Sequence, residues 1–231
     1  MANWNVNQIY EFVKFLLRKN QAGSVSTSNF FYAWNSEANT MFQDWLGRWQ
    51  NRNNGKTGNN TGLIENETLM TKLSPFINPV SIALTSGGKG EKPDDFAYEL
   101  GLRINGYEVE QINHGQIFSV NNSVIDPPSI IDNKYYAVQY LGYYQFFPTT
   151  LPTLTITTVE LDYIKTPTDI VWGYTFDSKN RQVYNSGTSV QPEFLQQDII
   201  EITKRTLNVF GVSYHDKEFE NFGKSVELTG E

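Results

Sequence analysis

Residues 159–212 read VELDYIKTPTDIVWGYTFDSKNRQVYNSGTSVQPEFLQQDIIEITKRTLNVFGV. The run from Val159 to Ile164 has the composition of a strand and stops at Thr166-Pro167. Val171-Trp172-Gly173-Tyr174 alternates, and a polar turn leads to Gln182-Val183-Tyr184. Gln191-Pro192-Glu193 then opens a helix expected over 193–210, with proline in its first turn. Leu195, Ile199, Ile202, Thr206 and Val209 or Phe210 form its apolar face. Gly211 suits the left-handed position after the last turn. Trp172 and Gly211 are therefore expected to be structural anchors. Strand, ribbon and helix make a folding unit that carries no catalytic chemistry of its own.

Upstream of this stretch the period is that of strands. Tyr98, Leu100, Leu102 and Ile104 alternate up to Asn105-Gly106, a pair that favours a type I′ hairpin, and Val109 and Ile112 follow. Residues 115–124 fit either a strand or a short helix, and Asp126-Pro127-Pro128 breaks the chain. Tyr135 to Tyr140 and Tyr143 to Phe147, separated by Leu141-Gly142, read as a hairpin. Leu154 to Ile164 reads as one alternating strand, and Pro79 to Leu84 as an earlier one. Short connections predict antiparallel pairing.

The first fifty residues read as two helices. Ile9, Phe12, Val13, Leu16 and Leu17 share one face of the first, and Asn5 with Gln8 forms a capping pair. Ser26 or Thr27 caps the second, whose stripe is Phe31, Trp34, Ala38, Met41, Trp45 and Trp49. The two stripes are expected to bury against each other and the rest of the fold. A short helix is predicted from Glu67 to Leu73, and another from Asp216 to Val226. Residues 51–66 and 85–95 read as polar, glycine-rich loops expected to become ordered on assembly. The reading is an α+β fold: residues 1–95 helical with long loops, 96–190 β-rich and antiparallel, and 191–231 a helix and tail, expected to form one integrated domain.

The chain has 231 residues, enough for a substantial core, with 14% aromatic and 19% charged residues. A net charge of −7 argues against phosphate binding over a basic surface. With no cysteine, disulfides, thiolate zinc sites and cysteine nucleophiles are excluded. No secretory signal or membrane span is legible, so synthesis in a reducing cytosol is expected.

Motifs with catalytic potential are thin. His114 and His215 are the histidines, and His215-Asp216 reads as a helix start. Ser86-Gly87-Gly88-Lys89-Gly90 lacks the Ser or Thr that follows the lysine of a phosphate loop, and Pro93 blocks the helix. Carboxylates show no metal-ligand spacing. No enzyme activity, cofactor or metal is expected. The aromatic run Tyr135, Tyr136, Tyr143, Tyr144, Phe146 and Phe147 reads as half core and half interface. Together with Trp45 and Trp49 it supplies the candidate interface residues.

Two segments carry a resemblance. IYEFVKFLLRKNQAGSVSTSNFFYAWNSEANTMFQDWLGRWQ, residues 9–50, resembles the opening of small structural proteins of tailed phages, especially crAss-like ones. LDYIKTPTDIVWGYT (161–175) and RQVYNSGTSVQPEFLQQDIIEITKRTLNVFGVSYHD (181–216) resemble that family's close: a strand ending in proline, a Trp-x-Tyr strand, a serine-containing turn and a helix ending in glycine. The middle matches only in its order of parts.

The resemblance implies a non-enzymatic neck or head–tail connector protein of a podovirus-type virion. Such proteins form rings of about twelve copies, a closed head-to-tail assembly. The implied partners are other copies of the chain, the portal and neighbouring neck or tail proteins. Genomic DNA would pass through without specific binding, and no membrane is involved. The competing reading is a non-enzymatic binding module, for carbohydrate or protein, presenting the aromatic hairpin.

Overall fold

The computed structural model describes residues 4–19, 25–53, 62–85, 87–123, 127–148, 150–151, 154–155 and 158–211. Its helices are α1 (Val6–Lys19), α2 (Thr27–Asn53), α3 (Gly62–Leu73), α4 (Ile117–Asn121) and α5 (Gln196–Val209). Its strands are β1 (Ile77–Ala83), β2 (Lys89–Glu91), β3 (Phe96–Ile104), β4 (Tyr107–Gln111), β5 (Tyr135–Gln139), β6 (Tyr143–Phe147), β7 (Thr150–Leu151), β8 (Leu154–Thr155), β9 (Thr158–Lys165), β10 (Tyr174–Phe176) and β11 (Gln182–Tyr184). The fold is α+β with a mostly antiparallel sheet. Of the predicted loop 51–66, residues 54–61 lie outside the described residues, whereas 51–53 end α2 and 62–66 open α3, so the loop is shorter than expected; the predicted helix 216–226 lies outside the described residues.

The chain divides into two compact units, residues 1–75 with 167–231, and residues 76–166. These boundaries fall at Pro75 and Pro167, not at 95 and 190. One reason is that β1 pairs along its whole length with β9 and so goes with the sheet. The other is that Trp172 packs on α1.

In the helical unit, α1 opens with a reciprocal cap. The Asn5 N–H donates to Gln8 Oε1 at 2.9 Å, and the Gln8 N–H donates to Asn5 Oδ1 at 2.8 Å. The Asn29 N–H donates to Ser26 Oγ, so Ser26 and not Thr27 caps α2. Every predicted stripe residue of both helices is buried. Helices α3 and α5 both pack on α2. The Trp34 indole donates to Thr203 Oγ1 at 3.2 Å, and Phe194 lies with its ring centroid 6.1 Å from those of both Trp34 and Trp45. Lys72 of α3 reaches the buried Asp198 of α5 at 3.1 Å, with its ammonium 4.7 Å above the Trp45 ring. Burial pushes the Asp198 carboxyl up, and Lys72 opposes that shift.

Helix α5 starts at Gln196, later than the Pro192-Glu193 signal implies. Those residues are engaged elsewhere. The Gln191 amide oxygen accepts from the Val6 N–H at 2.9 Å, and the Glu193 carboxylate accepts from the Thr168 N–H and hydroxyl. Leu195 is extended, with φ −65° and ψ 150°, and its carbonyl accepts the first helical bonds. The helix closes at Gly211, with φ +70°.

The sheet unit is a seven-stranded sheet in the order β1-β9-β3-β4-β5-β6-β2. A bridge between Leu84 and Gly90 brings its two outer strands together. Inside lie Leu102, Ile104, Tyr135, Tyr144, Phe146, Leu161 and Tyr163. Pairing is antiparallel except between β4 and β5, which are parallel. Parallel neighbours need a crossover. Residues 112–134 supply it, and they include a 3-10 turn at His114–Gln116 and then α4. That resolves residues 115–121 as helical.

Two further expectations are corrected. The 85–95 stretch is not all loop, because β2 pairs with β6. Gly90 makes this possible: a Cβ there would lie 2.8 Å from Ile82 and 2.9 Å from Leu84. Within the alternating run from Leu154, β8 pairs with β7 and β9 pairs with β1 and β3, so the two ends of the run belong to different sheets.

Gly173 gives a direct packing test. A Cβ there would lie 2.7 Å from the Thr188 carbonyl oxygen and closer still to the Thr188 hydroxyl. Gly173→Ala is expected to cost about 1–3 kcal/mol as overpacking. Gly187→Ala, whose nearest neighbour would be 3.4 Å away, should melt close to wild type. Thermal melts of the two variants make the comparison, and equal melting temperatures would contradict it.

Candidate functional site

The sheet opens at one place. The β3–β4 ladder holds only Arg103↔Glu108 and Ile104↔Tyr107. Along β9, irregularities fall between Phe96 and Tyr98 and between Glu99 and Gly101, one on each side of Glu99. Bulges of this kind bend a strand and re-aim its side chains. The result is a cavity of about 220 Å³ lined by Phe96, Ala97, Tyr98, Glu99, Gln111 and Gln139.

Glu99 Oε2 and the Tyr144 hydroxyl are buried without a fully formed hydrogen bond. They are close enough to shift each other's protonation. Burial pushes the Glu99 carboxyl up, against opposing contributions from Tyr144, Gln111 and Lys92. Burial pushes the Tyr144 phenol up as well, and Glu99 adds to it. Lys92 is lowered by burial and partly restored by Glu99. Its ammonium lies 4.7 Å above the Phe96 ring and 4.8 Å above Tyr144, and it donates to the Tyr140 carbonyl at 2.8 Å. This group can hold and release a proton. Sequence reading missed it because Glu99 sits at an ordinary polar position of an alternating strand.

The proposed interface rings are placed differently from the reading. Tyr135, Tyr136, Tyr144 and Phe146 are buried, as are Trp45 and Trp49. A ring already covered within its own chain has no area left for a neighbour, so these six are core residues. Tyr143 and Phe147 are half-buried on the other face of β6. Tyr143 stacks on Tyr140 with centroids 4.6 Å apart, and Lys89 lies 5.0 Å above it. The Tyr140 hydroxyl bonds His114 Nδ1 at 2.8 Å. Between the two stacked tyrosines Leu141 is fully exposed. An apolar residue at a turn tip was a legible signal, since turns favour polar residues and glycine.

Trp172 is only 8% exposed. Its indole donates to Asn7 Oδ1 at 3.1 Å, and the rings of Tyr10, Tyr174 and Tyr184 surround it at 4.9, 5.9 and 6.1 Å. Beside it runs a cleft of about 460 Å³ lined by Tyr10, Ser26, Thr27, Phe31, Trp172 and Tyr174, among others, with no charged side chain in its lining. The β10–β11 ribbon above it leaves Tyr174, Phe176 and Val183 exposed.

His215 and Ser86 lie outside the described residues. Among the described residues no group of three His, Cys, Asp or Glu could hold a metal ion, and no helix is long and apolar enough to cross a membrane. No known family model matches the chain, and no curated protein matches it.

The raised Glu99 carboxyl predicts a pH dependence. A group whose folded pKa lies above its unfolded value contributes stability at low pH that is lost as pH rises through the folded pKa. Glu99→Gln removes that loss. The variant should melt above wild type at alkaline pH, by on the order of 2–4 °C for each kcal/mol recovered. The gap should close as pH falls to the ordinary carboxylate range. Melts across pH check this, and a variant that is less stable at high pH would refute it.

Trp172→Ala should cost about 3–5 kcal/mol, the usual range for truncating a core aromatic. That corresponds to a melting temperature lower by on the order of 10 °C. An unchanged melting temperature would mean the indole is not holding α1 to the ribbon.

Proposed function

We propose that this chain is a non-enzymatic structural protein of a tailed-phage virion, forming a ring in the neck between portal and tail around the DNA channel. The reading starts from the resemblance at both ends of the sequence. The observation that carries it in the fold is the set of large apolar side chains left in solvent. Tyr32, Phe118, Ile131 and Leu141 are 78–101% exposed. Large apolar side chains this exposed are available to be covered on assembly. A net charge of −7 agrees with a channel that DNA crosses without adhering. The partners are other copies of the chain and the portal and tail proteins above and below.

The second reading, a module binding carbohydrate or protein, keeps only half-buried Tyr143 and Phe147 of the hairpin rings as a platform, because Tyr135, Tyr136, Tyr144 and Phe146 are buried. It retains the uncharged aromatic cleft beside Trp172.

Purified full-length chain separates the two. The ring reading predicts a large species in size-exclusion chromatography with light scattering, and closed annuli of about twelve copies in negative stain. A monomer at every concentration, whose melting temperature rises with added glycan, would replace it with the binding module.

A further inference from the structure

The cleft beside Trp172 is built within the helical unit alone. Its apolar surface comes from Tyr10, Phe31, Val171, Trp172 and Tyr174. Tyr174 is 44% exposed, yet its ring is held. It stacks on Trp172 with 29° between the planes, and Phe176 meets it edge-on at 5.5 Å. A flat apolar surface is thus fixed in place before any ligand arrives, which lowers the entropic cost of binding. The polar groups around it are unused. The Ser28 hydroxyl, the Tyr174 hydroxyl and the Gln182 carboxamide make no hydrogen bond to any described residue. The Thr27 hydroxyl donates to the Tyr10 hydroxyl at 2.9 Å, which leaves the Tyr10 proton free to be donated.

This lining selects among ligands. No charged side chain belongs to it. Lys14, 4.8 Å from the Tyr10 ring centroid, is paired with Glu11, and Arg181 beside Gln182 is paired with Asp177. Asp169 and Lys179, near in sequence, stand outside the lining. A phosphate, carboxylate or ammonium group would leave water here with no opposite charge to meet it. A wholly apolar ligand would leave the hydroxyls and the amide unpaired. A proline-rich peptide would use the rings, but proline has no N–H to give and offers only acceptors. The free hydroxyls and the amide can each donate and accept. A pyranose matches all of this: an apolar C–H face for a ring, hydroxyls that donate and accept, and no charge. The volume of about 460 Å³ also suits a small-molecule site.

We propose that this cleft, between the first turn of α2 and the β10–β11 ribbon, binds a neutral sugar, with its C–H face on Tyr174 and its hydroxyls on Ser28, Gln182 and Tyr10. The site lies within one copy, so it goes beyond the ring reading and does not depend on it. It also gives a ligand class to the cleft that the second reading retains.

Saturation-transfer NMR on the purified full-length chain, with maltotriose, cellotriose and chitotriose as probes, tests the site. At least one of the three should receive saturation. Ser28→Ala combined with Gln182→Ala should melt like wild type, because both side chains are already in solvent, and should weaken that binding on the order of tenfold. Tyr174→Ala should abolish the transfer, and Tyr174→Phe, which keeps the ring, should retain it. Transfer to none of the three sugars overturns the proposal, as does binding that survives both the double variant and Tyr174→Ala unchanged. Transfer to a proline decapeptide in place of the sugars would make the cleft a peptide site and overturn it as well. Light scattering on the same samples keeps the two readings apart. An assembled chain that binds no sugar keeps the ring and loses this site, and a monomer that binds sugar keeps this site and loses the ring.

Discussion

Strand β9 is paired on both sides, with β1 along seven residues and with β3 through two irregularities, and the sheet unit is organised around it. Val159, Leu161, Tyr163 and Ile164 are buried, so the strand is covered as a central strand must be. Straight β1 and irregular β3 lie on either side of it. The irregularity bends β3 away from β4, opens the cavity at Glu99, and leaves β4 to find β5 as a parallel neighbour. That parallel pair aligns the two ends of the unit.

The helical unit depends on a different kind of link. Residues from the far end of the sequence complete the N-terminal helices. Gln191 caps α1 from outside, Trp172 bonds Asn7, Thr203 receives the Trp34 indole, and Asp198 meets Lys72. Buried ion pairs are costly to break on one side only, since the remaining charge has no water to return to. The N-terminal helices and the stretch from Trp172 to Thr203 thus fold together as one unit.

Local signals in the sequence were read well where they act alone. The Asn5–Gln8 cap formed as the residues imply, both helical stripes are buried, and Asn105-Gly106 turns with φ 53° and 83°. Signals failed where a tertiary partner competed. Gln191 and Glu193 look like a helix start but bond elsewhere, which delays α5. Tyr135 and Tyr144 look like surface tyrosines in a hairpin, yet the curling of the sheet turns them inward. Period alone cannot say which face of a hairpin a closed sheet will bury. It also cannot show that Glu99, in an ordinary polar slot, lies between two irregularities. The fold class and the β3–β4 and β5–β6 hairpins were legible, whereas the other strand partners, and with them the candidate site, were not.

The central claim is that copies of this chain close on themselves. Native mass spectrometry of the purified full-length protein tests it most directly, because a head-to-tail contact either closes at one number or grows without limit. The account predicts one dominant mass near about twelve subunits, with no intermediate populated at equilibrium. A monomer alone, or an open series of masses with no preferred size, would contradict it.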